Sequence, residues 1–170
     1  MRRLLTLFCL CLIVVGAHAE DRMEHGDWSS QFLDGMGEAS THENGESMFG
    51  MLCAAGSCRY YFANGIDCEA GNNYPLMVTT AAGALAFDAI CEPMNTANGD
   101  VMLYWFNEAP RLNEAFGQSM AVGFAFPMTD GQFKISKFSM KGYEQAIERM
   151  VNGMRAKREA ESNPEGSGRT

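Results

Sequence analysis

The sequence predicts a mainly β fold: an antiparallel, sandwich-like sheet closed by one C-terminal amphipathic helix. Three observations carry that reading. Short runs rich in aromatic and other apolar residues recur about every 10 to 18 residues from Met48 onward, a spacing that suits a meander or sandwich. Turn compositions separate them, at Asn64-Gly65, Gly71-Asn72-Asn73, Asn98-Gly99-Asp100 and Asp130-Gly131. Only after Gly142 does a sustained three- and four-residue apolar period appear.

The chain opens with Arg2 and Arg3, an almost wholly apolar stretch from Leu4 to Val15, and Ala17-His18-Ala19. This tripartite layout reads as a secretory signal peptide over residues 1–19, cleaved after Ala19. Its apolar core covers roughly 18 Å of helix, too short for a bilayer interior of about 30 Å. No membrane span is expected once it is removed. Residues 20–47 are polar and weakly periodic, and read as an extended lead-in with one short strand around Trp28. A single domain is expected over 48–158, with strands at Met48–Cys53, Cys58–Ala63, Tyr74–Thr80, Ala84–Cys91, Asp100–Phe106, Ser119–Phe126 and Gln132–Met140. In the last of these, Phe133 and Ile135 alternate with polar residues, and Phe138 and Met140 continue on the opposite parity. A bulge near Lys137 would reconcile the two runs. A short helix is expected after Pro110, through Leu112 and Ala115 to Phe116, ended by Gly117. The C-terminal helix presents Tyr143, Ala146, Ile147, Met150, Val151 and Met154 as its stripe, and residues 159–170 read as a disordered tail.

Four cysteines remain after the signal peptide: Cys53, Cys58, Cys68 and Cys91. In an exported chain an even set reads as two disulfides, and the favoured pairing is Cys53–Cys58 with Cys68–Cys91. The spacing gives no second C-x₂₋₄-C pair for zinc. Removing Arg2 and Arg3 leaves 11 Lys+Arg against 21 Asp+Glu, a net charge of −10. Residues 20–130 hold 16 acids and 3 bases, and 131–170 hold 5 acids and 8 bases. So acidic a body disfavours nucleic acid and anionic membranes as partners.

No catalytic or metal motif stands out. His25 and His42 lie in the lead-in, away from any expected nucleophile turn, and read as surface histidines. The methionines are scattered rather than grouped as M-x-M, so they read as packing residues and not copper ligands. No cofactor is expected. Asp67 and Glu69, with Asp88 in an otherwise apolar strand, are candidates for a pair of hydrolytic carboxylates. The aromatic residues Tyr60, Tyr61, Tyr104 and Trp105 offer a different chemistry. Those not lining a second core layer would form an exposed recognition patch. The Asn107–Gly117 connection, with Arg111, is long for a hairpin and is a candidate contact loop.

Phe138-Ser139-Met140-Lys141-Gly142-Tyr143-Glu144-Gln145-Ala146-Ile147 resembles the S-L-K-G-F-x-x-A-L ending of the invasion-associated locus B family, and Gly26-Asp27-Trp28 resembles its opening G-D-W. The resemblance covers about twenty residues in two short pieces. No cysteine follows Cys91, so that family's later glycine-cysteine pairing after the sheet centre has no counterpart. The resemblance implies an exported bacterial sandwich with a non-catalytic role, and it transfers no functional residue. The reading that follows is an exported, non-enzymatic interaction protein of the periplasm or cell envelope, binding a protein or glycan. An inhibitor, an immunity-type protein and a host-interaction factor are specific versions of it. The alternative is a small secreted hydrolase using Asp88, Asp67 and Glu69.

Overall fold

A computed structural model of the chain describes residues 21–33, 35–96, 99–117 and 119–162. The expected signal peptide, and the tail beyond Ser162, lie outside these residues. Ten strands form one antiparallel sheet. They are β1 (Met23–His25), β2 (Trp28–Leu33), β3 (Met36–Glu43), β4 (Ser47–Ala54), β5 (Ser57–Ala63), β6 (Asn73–Thr80), β7 (Gly83–Thr96), β8 (Gly99–Phe106), β9 (Ala121–Pro127) and β10 (Phe133–Ser139). Among the described residues two helices, α1 (Ala109–Phe116) and α2 (Tyr143–Ser162), accompany the sheet. Across the sheet the order is β1-β2-β3-β4-β5-β8-β7-β6-β9-β10, so β1 and β10 are its edges.

The sheet coils until its two halves face each other, which makes it sandwich-like. Phe62 of β5 stacks on Phe124 of β9 at 4.8 Å, and Phe49 of β4 lies 4.7 Å from the same ring. Ser47 and Ser136 share a buried hydrogen bond between β4 and β10, 2.8 Å long. Trp28, Phe49, Tyr60, Phe62, Tyr104, Phe106, Phe124 and Phe138 fill the space between the halves. Rings meeting edge to face or offset add to the stabilisation that their buried area provides.

The lead-in is not a lead-in. β2 stands where the short strand around Trp28 was expected, but β1 and β3 flank it and all pair in register, Ser29↔Ser40 to Leu33↔Met36 and Gly37↔Cys53 to Glu43↔Ser47. Ser29, Ser30, Ser40 and Thr41 are buried, beside Ala39 and Trp28 at zero exposure. Small residues are required because α2 presses onto β2 and β3. A Cβ on Gly37 would stand 2.7 Å from Met154, and one on Gly153 would stand 2.2 Å from the Phe32 ring.

Both disulfides form, Cys53–Cys58 and Cys68–Cys91. The first joins directly paired residues of β4 and β5 around a tight turn in which Ala55 and Gly56 have φ of 48° and 88°. Gly117 ends α1 as expected, its N–H donating to the Asn113 carbonyl. Helix α2 runs through Ser162, so residues 159–162, expected to be tail, are helical. The expected bulge near Lys137 is absent. β10 pairs with β9 without interruption from Phe133↔Pro127 to Ser139↔Ala121. Ser136, Phe138 and Met140 are therefore the buried parity, leaving Phe133 and Ile135 outside at 54% and 60% exposure.

Candidate functional site

The aromatic residues expected to supply a surface patch are core. Tyr60, Tyr61 and Tyr104 are fully buried and Trp105 is 7% exposed. Each strand buries alternate residues inward, and here the outward parity is covered as well. Tyr61 lies across Gly50, whose missing side chain makes room for it, and its hydroxyl donates to Glu38. Tyr60 bonds Asn113 of α1 and Tyr143 of α2, holding both helices to β5. Burial pushes the Tyr60, Tyr61 and Tyr143 hydroxyls above the usual phenol pKa. Burial also raises Tyr104, with help from nearby Tyr74 and Asp67, to about 12. These residues hold the fold together and present no contact surface.

Trp105 is the partial exception. It borders a shallow groove of about 240 Å³ with Leu52, Arg59, Glu92 and Pro93. The Arg59 guanidinium pairs with Glu92 at 2.7 Å and lies 4.9 Å from the Trp105 ring, while the buried indole N–H has no hydrogen-bond partner among the described residues. The Asn107–Gly117 connection is mostly α1, anchored by buried Leu112 and Phe116. Arg111 is exposed there, paired with Glu108 at 3.0 Å and resting 4.7 Å from the Phe87 ring.

The candidate hydrolytic carboxylates do not converge. Asp67 and Glu69 are exposed between β5 and β6, and Glu69 accepts a hydrogen bond from Asn72. Asp88 points outward from β7, paired in register with Pro75. His25 bonds Ser30 at 2.9 Å on the edge strand, and His42 is exposed on β3. Among the described residues no three acidic, histidine or cysteine side chains cluster as a metal site.

The two segments that carry the family resemblance meet, although 109 residues lie between them in the chain. The Asp27 N–H donates to the Lys141 carbonyl at 3.0 Å, and the Trp28 indole donates to the Ser139 carbonyl at 2.8 Å. Trp28 also packs edge-on against Tyr143, with centroids 5.0 Å apart. Gly142 takes φ of 90° so close to β1 that a Cβ would lie 1.4 Å from the His25 carbonyl oxygen. The geometry of this junction is that of a clasp fastening β1 and β2 to the start of α2.

The feature that sequence reasoning missed is the outer face of β7, β6, β9 and β10. Register places its outward residues in rows across the four strands. One row is Ala84–Thr79–Gly123–Lys137 and the next is Ala86–Met77–Ala125–Ile135. Beyond them Asp88 pairs with Pro75, and Pro127 with Phe133. Met77, Phe133 and Ile135 are 42%, 54% and 60% exposed. Asp88 and Lys137 are the only charges in this set. A face of Ala, Pro, Met, Phe and Ile on a chain this acidic is an exposed apolar patch of the kind that marks interaction sites. The sequence did contain a signal: an apolar parity in β10 that the core did not need.

Comparison with protein-family models, with curated proteins and with solved structures finds no match.

Proposed function

We propose that the chain is an exported, non-enzymatic interaction protein of the periplasm or cell surface, working through the outer face of β7-β6-β9-β10. One observation carries the reading: Met77, Phe133 and Ile135 stand exposed on a sheet face almost free of charge. Soluble domains bury such rows, and a protein partner is the usual means. Two disulfides support an oxidising compartment, as does the tripartite N-terminus. The separation of Asp67, Glu69 and Asp88 favours binding over hydrolysis. The family resemblance points the same way, to an exported β-rich protein without catalysis. An inhibitor, an immunity-type protein or a host-interaction factor would each use such a face.

Capture with immobilised chain from cell-envelope extracts, the untagged chain itself included, tests the reading. Wild type is expected to retain a protein at physiological salt that Ile135→Glu loses. Ile135 is 60% exposed, so the substitution leaves the core intact. Retention of nothing, or of the same protein by both, overturns it.

A further inference from the structure

We infer that the partner on this face is a second copy of the chain, which rests on the interaction reading above. The face is self-complementary. Its two charges, Asp88 on β7 and Lys137 on β10, sit at opposite corners, three strands and four residues apart in register. Ideal sheet spacings put them about 20 Å apart along the diagonal. Neither side chain forms an ion pair with another described residue. A twofold axis in the plane of the face, perpendicular to that diagonal, sets each Asp88 against the other copy's Lys137. The two sheets then cross near a right angle, one of the two ways in which sheets pack face to face.

The same operation brings apolar residues together. On the ideal grid Ile135 of one copy falls over Pro75 and Pro127 of the other, and the two Phe133 rings meet on the axis. An isologous contact of this kind closes on itself at two copies. Long-range charge agrees with it. The β10 side belongs to the basic end of the chain (5 acids, 8 bases over 131–170), and β7 belongs to the acidic body. Each copy therefore offers its basic flank to the other's acidic one.

Edge-to-edge association through β10 is disfavoured. The Lys137 N–H on that edge donates to the Glu43 carboxylate at 2.9 Å, and Lys134 reaches across to the Asn64 carbonyl. Guarding an edge in this way prevents strand addition and leaves the face as the route to association.

Sedimentation velocity on the purified chain, with Asp88 and Lys137 exchanged singly and together, tests the inference. Wild type is expected to be a dimer by about 100 µM, and Asp88→Lys or Lys137→Asp to weaken it about tenfold. The double exchange is expected to restore it, and Ile135→Glu to leave a monomer. A wild type monomeric at that concentration, or a dimer indifferent to Ile135→Glu, overturns the inference. Should the monomer still capture a different protein in an Ile135-dependent way, the interaction reading stands and only the second copy falls. Ile135-dependent pelleting of that monomer with neutral lipid vesicles would identify lipid as the occupant and overturn both.

Discussion

Gly142 shows how much one residue can hold in this fold. Its φ of 90° lies in the region that side chains rarely adopt, and the His25 carbonyl fills the space a Cβ would need. Gly142→Ala must push β1 away from the α2 start and break the Asp27–Lys141 hydrogen bond. A loss of about 3 kcal/mol or more is expected in urea unfolding, among the largest effects of a single methyl group. Ala55 is the opposite case. At φ of 48° it is a non-glycine residue in the left-handed region, in a turn flanked by Ser57 and the Cys53–Cys58 bridge. Ala55→Gly relieves that strain but adds freedom to the unfolded chain, so a net gain of about 0.5–1 kcal/mol is expected. The same urea titration measures both, with opposite signs.

At the scale of elements, the strands with strong β composition were legible, and their expected bounds fall within two residues of those observed except at the end of β7, which runs on from Cys91 to Thr96. The loss came where composition answers to packing. Residues 20–47 read as an extended lead-in with one short strand around Trp28 because polar residues and glycine interrupt any period. In the fold Gly37 of β3 is kept small by Met150 and Met154 of α2, while Gly153 of α2 makes room for Phe32 of β2. Small residues placed for helix packing, on the strand at Gly37 and on the helix at Gly153, carry no β signal of their own. β10 misleads in the other direction: Phe133 and Ile135 suggest a core face, and only a bulge near Lys137 would put Phe138 and Met140 on it as well, whereas the uninterrupted pairing leaves Phe133 and Ile135 outside. Chain connectivity makes its own element-scale prediction. Cys68–Cys91 spans 23 residues and ties the β5–β6 connection to β7, whereas Cys53–Cys58 spans 5 across strands already paired. Replacing both cysteines of the long bridge by serine is expected to cost about 3 kcal/mol, and of the short one about 2 or less. Equal midpoints for the two double variants in urea would contradict the loop-length account.

For the whole molecule, the missed site and the misplaced aromatics have one cause. A sheet that coils onto itself has an inner face, a covered outer stretch around Tyr61 and Trp105, and a bare outer stretch at Met77 and Ile135. Strand alternation distinguishes two faces but not which length of the outer one is covered. The buried tyrosines convert that architecture into a dependence on pH. Tyr60, Tyr61 and Tyr104 are each fully buried, and burial raises each above the ordinary value of 10.0. Above pH 10 the unfolded chain releases these protons while the native chain keeps them, so stability falls as pH rises and is constant, on this account, below 10. Each tyrosine contributes about 1.4 kcal/mol per pH unit until its own folded pKa is reached, which for Tyr104 is about 12. Three together remove about 4 kcal/mol per unit, enough to exhaust an ordinary domain stability between about pH 11 and 13. Alkaline titration followed by phenolate absorbance and circular dichroism should therefore show these tyrosines ionising only as the sheet unfolds, in one transition. Tyr104→Phe should move that transition to higher pH, because one of the protons driving it is gone. A gradual ionisation of all tyrosines centred near pH 10, with the dichroism unchanged, would mean that the rings are not held in the core as described.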